Sequence, residues 1–147
     1  ASAVEIGKKY GITVLPGTEV NTREEIHCLT LFEDLLQAEV FQQYLETRMM
    51  RIPNRPGFFG PQYLVDEAEN IVDEEENLLL AALDSSIEEV EAEVHRLGGL
   101  FIPAHINRMQ NGIYSQLGFL PGGLQADALE VSITGDASGF LREHPET

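Results

Sequence analysis

The chain has 147 residues, 25 of them acidic and nine basic, and its formal net charge at pH 7 is -16. The length suits one domain, and a hydrophobic fraction of 43% is enough to form a packed core. A surface this acidic repels polyphosphate backbones, which argues against long nucleic acids as partners. The single cysteine, Cys28, excludes an internal disulfide framework. With no secretory leader and no apolar run long enough for a membrane span, the sequence predicts a cytoplasmic protein without membrane contact.

The first elements in chain order are the end of a helix and two short strands. Residues 1–10 have the apolar spacing of the last helical turns and stop at Gly11, so the chain is expected to begin in mid-fold. Ile12–Leu15 is predicted to be a compact apolar strand. The turn at Pro16–Gly17 then presents Glu19 on a second short strand.

Residues 24–32 alternate between two faces, as the side chains of a strand do. One face carries Ile26, Cys28 and Thr30, and the other carries His27, Leu29 and Leu31. His27 therefore shares its face with apolar residues. Cys28 points to the opposite face, which favours a buried hydrophobic residue over a reactive thiolate.

A helix is predicted for residues 34–50 and a loop for residues 51–61, whose prolines and glycines exclude regular helix. Three arginines lie at the helix end and in the loop. They are candidates for a lid that faces the substrate, although a purely structural role is favoured for Arg48, Arg51 and Arg55.

A second helix is predicted for residues 64–83, with an acidic outer face. Its acidic run at residues 73–76 lacks the glycine and the alternating oxygen ligands of an EF-hand loop, so a solvated helix face is favoured over a calcium site. Ser85 or Ser86, followed by two glutamates, predicts the start of a further helix through a capping box, and Gly98–Gly99 ends it.

The apolar run Leu100–Ile102 predicts a buried strand that delivers His105 at its C-terminal end, where α/β folds usually place their chemistry. A short helix at residues 111–117 and a strand at 128–132 follow. Glu130 lies near the end of that strand and is a candidate to support the site, although nothing in the spacing requires such a role. The last residues are predicted to begin another helix. Strands separated by helices predict an α/β layer or barrel.

Glu19 and His27 are eight positions apart, so adjacent antiparallel strands would bring both side chains within reach of one ion. His105 is 78 positions beyond His27, so only the fold can bring it to the same ion. Two imidazoles and a carboxylate suit zinc, manganese or iron. From spacing alone, hydrogen-bonded core histidines and a surface glutamate are the favoured alternative.

Arg108 is a candidate catalytic residue that holds phosphate oxygens, with a structural ion pair as the equal alternative. The remaining two histidines are predicted to be surface residues, His95 and His144.

Four segments form a series in chain order: Gly17-Thr18-Glu19-Val20, Glu25-Ile26-His27-Cys28-Leu29, Pro103-Ala104-His105-Ile106-Asn107-Arg108 and Ser115-Gln116-Leu117-Gly118-Phe119-Leu120-Pro121. The series resembles consecutive motifs of the PHP family, the polymerase and histidinol phosphatase superfamily of metal-dependent phosphoesterases. The resemblance implies a distorted seven-stranded (β/α) barrel with a metal cluster at the rim of its strands. It also implies that Glu19, His27 and His105 are ligands of a single ion.

The family's early His-x-His strand, its Asp-His pair and its late Asp-x-His motif are absent from the sequence. The resemblance therefore implies that residues 1–147 form a single partial PHP domain, an incomplete distorted (β/α)7 barrel without the first and last strands. Three protein ligands are enough for one open tetrahedral site, although not for the family's multinuclear centre.

The sequence thus predicts a metal-dependent phosphoesterase acting on a phosphomonoester or a small phosphodiester, with weak or absent turnover in this chain alone. The expected cofactor is a divalent ion of zinc, manganese or iron, and the expected partner is a small phosphorylated substrate. One alternative is a non-catalytic metal-binding module that associates with a second copy through exposed strand edges. Another is a fragment released from a longer protein.

Overall fold

The computed structural model describes residues 2–133 and 136–145. Within them the helices are α1 (Ser2–Lys9), α2 (Leu35–Arg48), α3 (Pro56–Phe59), α4 (Ile87–Arg96), α5 (Ile113–Leu117) and α6 (Ala137–Glu143). The strands are β1 (Gly17–Asn21), β2 (His27–Leu31), β3 (Tyr63–Val65), β4 (Ile71–Glu74) and β5 (Leu100–Pro103). No helix among these residues has the length and apolar character needed to cross a membrane.

The main sheet has the order β1-β2-β5, and both of its pairings are antiparallel. In register, Asn21 lies opposite His27, and Leu29 lies opposite both Glu19 and Ile102. The predicted α/β class is confirmed as a mixture of helices and small sheets. The predicted barrel is not present in the described part of the chain, because its sheets are antiparallel and open. The five-residue connection at 22–26 is too short for the crossover of about a dozen residues that parallel strands need.

The buried face of β2 packs into the core, as its alternation predicted. Cys28 and Thr30 are fully buried, and Ile26 just before the strand is buried with them. Side chains from α2, α4 and β5 complete this core, among them Phe41, Leu45, Val90, Val94 and Phe101. Burial raises the pKa of the Cys28 thiol far above its ordinary value, so this cysteine stays protonated, as expected of a buried hydrophobic residue.

The helix predicted for residues 64–83 is wrong. These residues form the hairpin β3–β4 and an irregular return segment. The turn explains the difference, because the Asp66 carboxylate accepts hydrogen bonds from the backbone N–H groups of Ala68 and Asn70 and from the Asn70 side chain. These bonds, the Asn70 side chain foremost, lower the pKa of Asp66. Local bonds of this kind compete with a helix and favour a turn.

Two predicted strands are also absent as regular strands. Ile12–Leu15 is irregular, and β1 begins only at Gly17, after Pro16, which has no N–H to donate to a sheet. Residues 128–132 run irregularly beside β5, to which Asp127 N and Glu130 N donate hydrogen bonds at the carbonyls of Phe101 and Pro103.

Several predicted helices are confirmed. The helix at 34–50 is α2, the terminal helix is α6, and the one at 111–117 is the shorter α5. Ser86 caps α4 through the predicted capping box with Glu89, and Gly98 follows the helix with a left-handed φ of 73°. The predicted loop at 51–61 contains the four-residue α3, which starts at a proline.

His95, predicted to be a surface residue, is half-buried and contacts two carboxylates. Its Nδ1 lies 2.6 Å from Glu91 Oε1 and its Nε2 lies 2.9 Å from Asp127 Oδ2. The hydrogen bond with Asp127, and then that with Glu91, raises the pKa of His95. His144 is engaged as well, because its ring packs against Tyr114 and Phe140.

Replacing His95 with glutamine is expected to lower the free energy of unfolding by about 1 kcal/mol near pH 6 and to have little effect near pH 9. Because the pKa of His95 is raised in the folded protein, the protonated ring stabilises the fold at low pH, and this stabilisation is lost as the pH rises through the folded pKa. Urea unfolding of wild type and His95→Gln at both pH values measures the difference. An equal difference at both values would contradict the assigned role.

Candidate metal centre

Glu19, His27 and His105 meet on one face of the main sheet. Asn21 lies opposite His27 in the antiparallel register, and Glu19 is two residues before Asn21, so all three share that face. His105 follows the end of β5, the strand on the other side of β2. The structure therefore places the glutamate and the first histidine on adjacent antiparallel strands, as their spacing suggested.

The three ligand atoms form a nearly equilateral triangle. His27 Nδ1 lies 3.3 Å from Glu19 Oε1, His105 Nε2 lies 3.6 Å from the same oxygen, and the two nitrogens are 3.3 Å apart. These separations are longer than the usual hydrogen bond of about 2.9–3.0 Å. An ion bound tetrahedrally at about 2.0–2.2 Å from nitrogen and oxygen ligands holds those atoms about 3.3–3.6 Å apart. The triangle therefore fits a divalent ion of the size of zinc better than it fits a hydrogen-bonded cluster.

The site is buried at His105 and open at Glu19. The side chains of His105, His27 and Glu19 are 10%, 26% and 45% exposed. Burial is the main cause that lowers the pKa of His27, and the nearby His105 and Arg108 lower it further against the opposing effect of Glu19. His27 is thus neutral at neutral pH, with a lone pair available to an ion.

The ring of His105 has one nitrogen in the triangle and one without a partner. Its Nδ1 is buried, and it makes no hydrogen bond with any residue that the structure describes. The polar contacts of this ring are therefore those that it makes with His27 and Glu19.

The backbone around His105 is tightly constrained. His105 has a left-handed φ of 33°, which is uncommon for a residue with a Cβ. Its N–H donates to Glu130 Oε2 at 3.0 Å, and its carbonyl accepts from Arg108 N at 2.8 Å. A Cβ at Gly112 would lie 2.5 Å from the Arg108 carbonyl oxygen and 3.0 Å from that of His105. The turn that presents His105 therefore leaves no room for a Cβ at residue 112 unless its backbone shifts.

An open pocket of about 500 Å³ contains the triad and is completed by residues 108–111. Arg108 is exposed on its wall, close enough to influence the pKa of His27. The three arginines considered for a lid lie elsewhere. Arg48 rests 5.6 Å from the centre of the Tyr44 ring, Arg51 lines a separate groove, and Arg55 precedes α3. None of the three lines the pocket of the triad, and the structural role stays the favoured interpretation.

Two residues at the site carried no clear sequence signal. Glu130 contacts the His105 backbone from 25 positions away. Asn111 joins the pocket loop to β2, because its carbonyl accepts from His27 N and its side chain donates to the Glu25 carbonyl. Its positive φ of 57° is one that asparagine tolerates, which is the one local hint that the sequence offered.

No protein-family model and no curated protein matches the sequence. Among solved structures, the chain is similar to the lesion-specific endonuclease PfuEndoQ from Pyrococcus furiosus, with a TM-score of 0.61 and 20% sequence identity. The similarity covers 87% of this chain and 28% of the endonuclease chain. At this identity the likeness is one of fold, and the chain spans less than a third of that enzyme's length.

Substituting Gly112 with alanine is expected to destabilise the protein by about 1–3 kcal/mol, because the new Cβ would collide with carbonyl oxygens that cannot easily move. The matched control is Gly122→Ala, whose added methyl group would meet nothing within 4 Å. Urea unfolding of both variants measures the effect. Equal stability of the two variants would show that the turn adapts without cost.

Proposed function

We propose that the protein binds one divalent metal ion through Glu19, His27 and His105 and hydrolyses a phosphoester beside it. The observation that carries this proposal is the triangle of ligand atoms, with sides of 3.3, 3.3 and 3.6 Å. The motif resemblance to PHP phosphoesterases supports the same chemistry. The fold likeness to an endonuclease, an enzyme that breaks phosphodiester bonds, is consistent with it.

The types of ligand atom at the site limit which metal ions it would bind. Two imidazole nitrogens and one carboxylate oxygen suit zinc, manganese or iron, and three protein ligands leave a coordination position open, as in catalytic zinc sites. A divalent ion held there would polarise phosphoryl oxygens and lower the pKa of a water molecule. The lowered pKa of His27 keeps its ring neutral, which is the form that ligation needs.

Arg108 is the residue that we propose to bind the substrate. Its guanidinium lies in the same pocket as the triad and is exposed, so its planar fork can donate two hydrogen bonds to phosphate oxygens. During hydrolysis a water oxygen forms a bond to phosphorus while the ester P–O bond breaks. Arg108 would stabilise the negative charge of the phosphoryl oxygens throughout this exchange.

The proposed substrate is a phosphomonoester or a small phosphodiester. The pocket of about 500 Å³ is open and suits a small ligand. The net charge of -16 opposes the approach of a long polyanion. Turnover by the chain alone is expected to be weak, because one site with three protein ligands replaces the multinuclear centre that the PHP resemblance implies.

The first test is metal content, measured by plasma mass spectrometry after incubation with zinc, manganese and iron and removal of loose ions. Wild type is expected to retain about one ion per chain, and His27→Ala and His105→Ala are expected to lose it. His95→Gln is the matched control, because it removes a histidine outside the pocket. An ion retained by His105→Ala would contradict the assignment.

The same proteins, loaded with metal, are then assayed with p-nitrophenyl phosphate, bis(p-nitrophenyl) phosphate and a single-stranded oligonucleotide. We expect slow hydrolysis of the small esters, with kcat/KM about 100-fold lower in Arg108→Ala and metal content unchanged. Hydrolysis that persists in His105→Ala would exclude this site. Preferential cleavage of the oligonucleotide would overturn the proposed substrate class while keeping the site.

A second candidate function is that of a self-associating interaction module. The observation that favours it is the β3–β4 hairpin, in which every strand residue is exposed, including Tyr63, Leu64, Val65, Ile71 and Val72. A two-stranded hairpin with no covered face is marginally stable alone, and its open edges can pair with another strand.

Self-association predicts a mass that rises with protein concentration in light scattering at about 10–200 μM, since transient contacts of small area are weak. Val72→Lys, which places a charge on the exposed apolar hairpin, is expected to abolish the rise. Leu36→Lys, which places the same single positive charge on an exposed apolar position of α2, is the matched control. A constant monomer mass in wild type would exclude this candidate.

A further inference from the structure

Glu130 contacts the turn that carries His105 through three hydrogen bonds. Its Oε2 accepts from His105 N at 3.0 Å, its own N–H donates to the Pro103 carbonyl at 3.0 Å, and its carbonyl accepts from Ile106 N at 2.9 Å. Glu130 therefore forms hydrogen bonds with Pro103, the last residue of β5, with His105 and with Ile106, the residue after it. Only the first of these bonds depends on the side chain.

That bond acts on a residue whose backbone is disfavoured when unsupported. His105 has a φ of 33°, and a non-glycine residue keeps such a conformation only where its surroundings impose it. The buried N–H of His105 also needs an acceptor. A carboxylate is a stronger acceptor for it than a neutral group. The Glu130 side chain therefore satisfies the amide and opposes relaxation of the turn.

Neighbouring contacts hold Glu130 opposite His105. Asp127 Oδ2 accepts from Phe101 N at 2.7 Å, upstream of the turn. Downstream, the Asn107 side chain donates to the Ser132 carbonyl at 2.9 Å and accepts from Ser132 N at 2.8 Å. Residues 127–132 are thus hydrogen-bonded at both ends to β5 and to the turn that follows it. These bonds fix the position of Glu130 relative to His105.

We propose that Glu130 is a positioning residue for the metal centre: its carboxylate holds the His105 backbone so that Nε2 faces Glu19 and His27. This inference rests on the metal site proposed above. Glu130 acts through the His105 amide, so it contributes to metal affinity without being a ligand. Residues that orient metal ligands in this way typically change affinity by about 10- to 100-fold when replaced.

The test compares Glu130→Ala, Glu130→Gln and the control Glu39→Ala, which removes an exposed glutamate of α2. Zinc affinity is measured by competition with a chromogenic chelator, and the visible spectrum of the cobalt-loaded protein reports ligand geometry. We expect Glu130→Ala to bind zinc about 10- to 100-fold more weakly and to change the cobalt spectrum. Glu130→Gln, which keeps an acceptor oxygen, should restore most of the affinity, and Glu39→Ala should match wild type.

Amide hydrogen exchange in the metal-free protein gives an independent readout. In Glu130→Ala, the His105 amide should exchange faster, whereas the Val94 amide in α4 should be unchanged. Zinc affinity equal to wild type in Glu130→Ala would overturn the inference. If wild type itself binds no zinc, the proposed metal site fails. In that case, equal His105 exchange in wild type and Glu130→Ala would also show that Glu130 does not hold the His105 backbone, whereas faster exchange would support that hold alone, without a metal role.

Discussion

The central strand β2 has one face in the hydrophobic core and the other face at the candidate metal centre, and the rest of the site depends on this division. Cys28 and Thr30 point into the core and are fully buried, while His27 between core positions points to the opposite face. A shift of one residue in register would exchange the two faces, burying His27 in the apolar core and exposing Cys28. The packing of the core therefore fixes the side on which an ion would bind. The antiparallel partner β1 then places Glu19 on the same side.

The third candidate ligand, His105, depends on a different kind of constraint. His105 lies beyond the regular hydrogen bonding of β5, in a turn with a left-handed residue, a closely packed glycine and an acceptor from a distant segment. Such a turn has little freedom to move, because the N–H groups of His105, Ile106 and Arg108 each donate to an acceptor. Two candidate ligands thus come from the sheet and one from a locally strained turn, which is where functional sites often store strain. The preorganisation of the triangle follows from this combination.

Sequence patterns were sufficient for β2 and for the start of α4. The alternation in residues 24–32 predicted both faces of β2, and Ser86 with Glu89 predicted the start of α4. Periodicity failed for residues 64–83, since apolar residues about seven positions apart, such as Leu64 and Ile71, suit a helix face and also two strands joined by a turn. The spacing of Glu19 and His27 suggested the antiparallel pair β1–β2, whereas the barrel expectation came from the motif resemblance and did not anticipate an open, fully antiparallel sheet. The contact between Glu130 and His105 spans 25 residues and could not be derived from spacing.

The acidic character of the chain has opposite consequences for the two partners of the proposed reaction. A net charge of -16 raises the local concentration of cations and lowers that of anions, so it favours loading of a metal ion and opposes the approach of phosphate. A bound divalent ion beside Arg108 would reverse the sign of the field within the pocket while the surrounding surface stays negative. A small phosphoester fits inside that positive region, whereas a long polyanion extends over the acidic surface beyond it. Physiological salt screens the repulsion between charges that are more than about 8–10 Å apart, so each part of a ligand is repelled mainly by the surface next to it. A long polyanion lies next to more acidic surface than a small phosphoester does. Such a surface therefore discriminates between substrates by their length.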